Sequence, residues 1–184
     1  MTKLNSNVRD LQPIVAAVKN ISSAYFTVPR FGLSPAKRER VYCYELYHQM
    51  RLVEGFGDFT LHGEIDKRGD PSFENKNPDF VIHHPGCGAK GDNFIVIEVK
   101  LDDAEAGIVK DLNKLKCMIT EHGYKYGVFI LVGHDMDWFK KELQEAITHF
   151  ENANNEKQLF IICHESEGNA RIESLYNIRR CAKV

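Results

Sequence analysis

Phe94-Ile95-Val96-Ile97-Glu98-Val99-Lys100 is an almost unbroken apolar run that ends on two opposite charges. A run so continuous and rich in β-branched side chains predicts a strand covered on both faces, central in a layered sheet. Residues two apart in a strand share a face, so Glu98 and Lys100 point one way and Val99 the other. Packing alone does not account for such a pair. A second apolar segment, Asn77-Pro78-Asp79-Phe80-Val81-Ile82, precedes it across the loop His83 to Asp92, which holds Pro85 and three glycines. Pro78 suits a strand opening, where a missing donor is tolerated. The two segments predict a hairpin with acidic residues gathered at one end.

The rest of the chain supplies the layers. Val8, Leu11, Val15, Val18 and Ile21 recur at helical spacing, with Pro13 in the first turn, and predict an N-terminal helix over 8–24. Ser34-Pro35 reads as an N-cap followed by proline at the first helical position. It opens a helix to Val53 with Val41, Tyr44, Glu45, His48 and Leu52 along one stripe. A glutamate inside that stripe is the odd member. Phe59 to Asp66 alternates as a half-buried strand, which makes three strands in succession.

Ile108, Leu112, Leu115 and Ile119 mark a helix closed by Gly123, and Tyr126 to Val132 is a buried strand. Phe139, Leu143, Ile147 and Phe150 predict another helix, and Leu159 to Cys163 another strand. Arg171 to Val184 adds a short strand or a tail. The fold class is therefore α/β: a mixed β-sheet, made of a three-strand meander plus parallel crossover strands, flanked by helices in a single domain over 1–184. Its core is expected over 35–133.

Composition narrows the function classes. A net charge of −2 gives no global pull toward nucleic acid, so any such binding must come from local patches. These are Lys37-Arg38-Glu39-Arg40, Lys67-Arg68 and Arg179-Arg180, each also an ordinary solvated run. Tyr42, Tyr44 and Tyr47 beside the first patch read as core and helix packing rather than a base-stacking platform. Five scattered cysteines without a CxxC argue for a reducing cytoplasm. No secretory signal stands at the N-terminus, and no apolar run suffices for a membrane span. No phosphate-cradling glycine loop of the P-loop or dinucleotide type occurs. His83, His84 and Cys87 lack a fourth ligand at zinc spacing. Nothing in the sequence places a cysteine beside His134 or His164 as a nucleophile pair.

Carboxylates converging at one strand end are hard oxygen ligands suited to Mg²⁺ or Mn²⁺. With a lysine on the same face, Asp79, Glu98 and Lys100 fit metal-assisted hydrolysis of a phosphodiester. Pro78-Asp79 followed by Glu98-Val99-Lys100 resembles the PD-(D/E)xK signature of the restriction-endonuclease-like nuclease superfamily, and the elements from Pro35 to Val132 resemble that family's core order. The resemblance implies a metal-dependent endonuclease acting on DNA rather than RNA, leaving a 5′-phosphate, in restriction, defence or repair. It further implies that Asp79, Glu98 and the Val99 carbonyl ligate Mg²⁺, with Mn²⁺ able to substitute. Lys100 would serve the attacking water, and Glu45 would complete the site. Glu64, with Asp66, competes with Glu45 for that auxiliary role. Lys110 and Lys114 stand where family members contact phosphate or water. A homodimer or partner protein would supply specificity. The rival expectations are a non-catalytic interaction module that kept the fold, and a hydrolase outside nucleic-acid metabolism. As structural groups, Asp79 would cap a turn, and Glu98 with Lys100 would form an edge-strand ion pair of little worth.

Overall fold

A computed structural model of the chain describes residues 6–63, 77–85, 92–101, 104–148 and 157–181. Two helices, α1 (Ser6–Arg9) and α2 (Gln12–Lys19), lead through a 3-10 turn into a hairpin of β1 (Val28–Arg30) and β2 (Leu33–Ala36). Then come α3 (Glu39–Leu52), β3 (Thr60–Gly63), β4 (Phe80–His83) and β5 (Asn93–Lys100). The chain continues with α4 (Glu105–Thr120), β6 (Tyr126–Val132), α5 (Met136–Glu142) and α6 (Gln144–Thr148). It closes with β7 (Leu159–Ser166), β8 (Asn169–Ser174) and α7 (Leu175–Cys181). Six strands form one mixed sheet in the order β3-β4-β5-β6-β7-β8. The meander β3-β4-β5 is antiparallel, β6 and β7 add parallel strands, and β8 returns antiparallel on β7.

The alternation expected of β5 is what divides the core. Ile95, Ile97 and Val99 join α2 and α3 on one face, where Leu11, Ile14, Val18, Tyr42, Leu46 and Met50 are buried. Val96 joins the opposite face, where Ile108, Leu112, Leu115 and Phe139 pack. All seven residues of β6 are buried, as a strand covered on both sides requires. Helices thus cover both faces. The turn closing α4 places Gly123 at φ +71 while the Tyr124 N–H bonds the Met118 carbonyl, which makes Gly123 the left-handed closing residue.

Three expectations are corrected. The first concerns Ser34-Pro35, which lies in β2 rather than at a helix start. Gly32 at φ +66 turns the chain behind Phe31, so that Leu33 pairs with Arg30 and Ala36 with Val28. Proline is tolerated in such a two-stranded ribbon, where each strand is an edge, and α3 begins at Glu39. The second concerns the phase of α3. Tyr42, Leu46 and Met50 are buried, while Tyr44 and Leu52 are exposed. Third, the N-terminal helix over 8–24 is shorter: its ordered run is Gln12–Lys19, with the proline in its first turn as expected. The segment after β7 is a full strand and helix, β8 and α7. Glu64, Asp66, Lys67-Arg68, Cys87 and Phe150 lie outside the described residues. No helix among the described residues is long and apolar enough to cross a membrane.

A buried polar contact fastens α3 to the sheet: the Tyr42 hydroxyl and His164 Nδ1 stand 2.8 Å apart, with Phe26 edge-on to the imidazole. Burial pushes His164 down to about 4, so the folded protein keeps it neutral while the unfolded chain takes up a proton near the usual value. The contribution of this site is complete above about pH 6.5 and is lost as pH falls toward 4, by up to about 3 kcal/mol. Urea unfolding of His164→Gln against wild type should therefore show a stability difference that shrinks on acidification between those pH values.

Candidate active site

The sheet geometry assembles the site from chain ends. Phe80 is opposite Ile97 in the antiparallel register, and continuing that register sets Asp79 beside Glu98. The ladder to β4 stops there, and the Asp79 carboxylate takes its place by accepting the Val99 N–H at 2.7 Å. In a strand one residue's N–H and C=O point to the same edge, so the Val99 carbonyl also faces the Asp79 side.

Glu98 is 3% exposed. Its Oε2 accepts from Lys114 at 2.6 Å, whereas Oε1 is buried with no hydrogen-bond partner. Lys114 also donates to the Asn77 carbonyl at 3.2 Å, so this one ammonium ties α4 to the start of β4 and the end of β5. Lys100 lies on the same face as Glu98, and its Nζ stands 3.4 Å from Asp111 Oδ2. Asp111, 8% exposed, comes from the buried stripe of α4.

Electrostatics set the two strand carboxylates apart from surface acids. Desolvation pushes Asp79 up to about 6; the Val99 N–H and Lys114 oppose that, while Glu39 and Asp111 add to it. Desolvation first, and then the Asp79 charge, raise Glu98 well above the usual carboxylate range despite Lys114. Glu39, Asp79, Glu98 and Asp111 against Lys100 and Lys114 leave two formal negative charges when all are ionised. An excess of two, an all-oxygen donor set and an orphaned buried oxygen fit a hard divalent cation. Such an ion would be held by Asp79, Glu98 and the Val99 carbonyl.

Of the residues singled out in the sequence, the structure brings Asp79, Glu98, Val99 and Lys100 together. For Glu45 the contact shown is along its own helix, where the carboxylate accepts from Gln49 Nε2 at 2.6 Å. The α3 carboxylate that reaches the site is Glu39, which accepts the Leu101 N–H at 3.4 Å and acts on Asp79. Six residues at 100° each put Glu45 about 120° round the helix from Glu39. Lys110 is exposed on α4, whereas Lys114, one turn on, is the lysine at Glu98.

Asp111 and Glu39 were missed as site residues. Asp111 carried a signal, being a carboxylate between Ile108, Leu112 and Leu115 on an apolar stripe. Glu39 was hidden within a basic cluster. Elsewhere, Cys117, Glu121 and His122 bring ligand atoms within 4.8 Å of one another at the end of α4. There Cys117 Sγ donates to Glu121 at 3.0 Å, a hydrogen bond that itself explains the proximity of these two.

Gly107 gives Lys100 its room: a Cβ there would stand 3.3 Å from Lys100 Cε and 3.7 Å from Nζ. Because the neighbour is the far end of a flexible chain, Gly107→Ala should fold and gain about 0.5 kcal/mol of helix stability. The displaced ammonium should nonetheless lower activity severalfold, a split that melting and turnover measured together would reveal.

Comparisons of the chain with family models, with curated proteins and with solved structures yield no match.

Proposed function

We propose that this chain is a metal-dependent phosphodiester hydrolase, a nuclease acting on DNA. One observation carries the reading: a buried Glu98 oxygen without a hydrogen-bond partner, beside Asp79 and on the face that carries Lys100. An unsatisfied buried oxygen forfeits its hydration, a cost that a bound cation would offset. The element order α3-β3-β4-β5-α4-β6, an antiparallel meander followed by a parallel strand, supports the restriction-endonuclease-like core that the sequence resembles. Placement in restriction, defence or repair rests on that analogy alone.

When bound, Mg²⁺, or Mn²⁺ in its place, would supply Lewis acidity toward a phosphoryl oxygen and toward a water nucleophile. The chain's own groups do the rest. Lys100, steadied by Asp111, orients the attacking water and neutralises charge gathering on the phosphate as the P–O3′ bond breaks. Lys114 holds Glu98 and the Asn77 carbonyl, so the two carboxylate-bearing strand ends keep their spacing. Glu39 adds negative charge behind Asp79 and strengthens its demand for a cation.

The test is incubation of plasmid and single-stranded DNA with the protein and Mg²⁺ or Mn²⁺, beside Asp79→Ala. Cleavage that needs the metal and vanishes in the variant is expected. A wild type that cuts neither DNA nor RNA under any divalent ion would overturn the reading.

A further inference from the structure

We propose that the site takes its substrate as a single strand, with one unpaired nucleobase seated in an aromatic pocket that opens at Asp79. The inference rests on the hydrolase reading, because the pocket and the carboxylate centre share that residue. A cavity of about 410 Å³ lies between α3 and the ends of β3 and β4, with Tyr44, Tyr47, His62, Asp79 and Phe80 among its walls. That size is within the range of small-ligand pockets. Its chemistry is that of a base site. Tyr47 lies nearly parallel to Phe80, with centroids 6.3 Å apart, and Tyr44 is 66% exposed on the same helix. His62, also on the pocket wall, is paired with His83 at 2.8 Å. Flat π-faces with a few ring nitrogens and hydroxyls are how unpaired bases are taken up, by stacking and edge hydrogen bonds.

The charge of the segment that leads into α3 suits the same occupant. From Tyr25 to Arg40 the chain carries Arg30, Lys37, Arg38 and Arg40 against a single acid, Glu39. All four cations are exposed, while Glu39 turns inward to the Leu101 N–H. The β1–β2 ribbon ends in Phe31, fully exposed, and leads directly into α3, whose next turns bear the pocket tyrosines. A polyanion lying along this segment would reach Asp79 with a base beside Tyr44 and Tyr47. A protein of overall charge −2 thereby gains a local phosphate track. Tyr42 is core, as expected from sequence; Tyr44 and Tyr47 are not.

The experiment uses a labelled single-stranded DNA and the same strand in a blunt duplex. Both are titrated with the full chain in EDTA, so that binding is read without cleavage. Single-strand binding at least about tenfold tighter than duplex binding is expected. Tyr44→Ala, a surface change that spares the fold, and Tyr44→Ala with Tyr47→Ala should each weaken it, the pair by about fivefold or more. Lys37→Ala with Arg38→Ala should reduce the salt slope of binding by roughly 1.5. Equal or tighter duplex binding, or a tyrosine pair variant that melts like wild type and binds the single strand within twofold of it, would overturn the proposal. Strong single-strand binding by a protein that never cleaves would uphold the pocket and remove the hydrolase reading alone.

Discussion

Replacing Lys100 by methionine is expected to slow DNA cleavage about a thousandfold while leaving Mn²⁺ affinity within a few-fold of wild type. The two lysines of the site have different duties. Lys114 is committed, with Glu98 at 2.6 Å and the Asn77 carbonyl at 3.2 Å. Lys100 shares its face with Glu98, is steadied by Asp111 at 3.4 Å, and keeps partial exposure at the mouth of the site. Methionine preserves most of the stem's apolar contact and removes only the ammonium. Lys114→Met should behave otherwise, because it strips the cation from a buried carboxylate. Melting temperature and metal affinity should change along with rate. Calorimetry beside single-turnover cleavage separates the two. A Lys100→Met protein that cuts at the wild-type rate would remove the residue from the mechanism.

Asp79→Asn is expected to stabilise the metal-free protein by about 2 kcal/mol near neutral pH and to abolish cleavage. Asparagine keeps a carbonyl oxygen for the Val99 N–H, so the local geometry has no reason to change. What disappears is a desolvated charge crowded by Glu98, Glu39 and Asp111. The sign follows from the direction of the shift. Asp79 is raised from 3.8 to about 6, so its ionisation penalises the fold increasingly as pH climbs between those values and fully above them. The advantage of asparagine should therefore be present at about pH 7.5 and nearly absent at about pH 4. Urea unfolding in EDTA at both pH values measures it. A variant less stable than wild type at neutral pH would mean that the buried Asp79 charge does not penalise the fold.

What the sequence disclosed, and what it hid, follows from the kind of signal each element carries. The run from Phe94 to Lys100 could be read because a strand covered on both faces leaves no room for polar residues except those with a task. The stripe of α4 could be read because Ile108, Leu112, Leu115 and Ile119 are all buried at one phase. On α3 two phases compete: Val41, Tyr44, His48 and Leu52 recur at helical spacing as well as Tyr42, Leu46 and Met50 do. The tertiary packing of Tyr42, Leu46 and Met50 on the sheet, with Tyr42 at His164, decides between them. The wrong phase set Tyr44 in the core and concealed the inward turn of Glu39. Ser34-Pro35 has the chemistry of a helix cap, yet the Phe31-Gly32 turn just before it folds that stretch back as a strand. Lys114 was legible through the resemblance and Asp111 as an odd carboxylate on an apolar stripe, but their partners on β5 are set by how α4 packs on the sheet.

Whether Asp79 and Glu98 hold a hard divalent cation, as proposed, decides the rest. The most direct measurement is anomalous scattering from a crystal soaked with Mn²⁺. One strong peak is expected, bound by Asp79, by the Glu98 oxygen that now lacks a partner, and by the Val99 carbonyl. Manganese found only at Cys117, Glu121 and His122, with none at the strand ends, would contradict it.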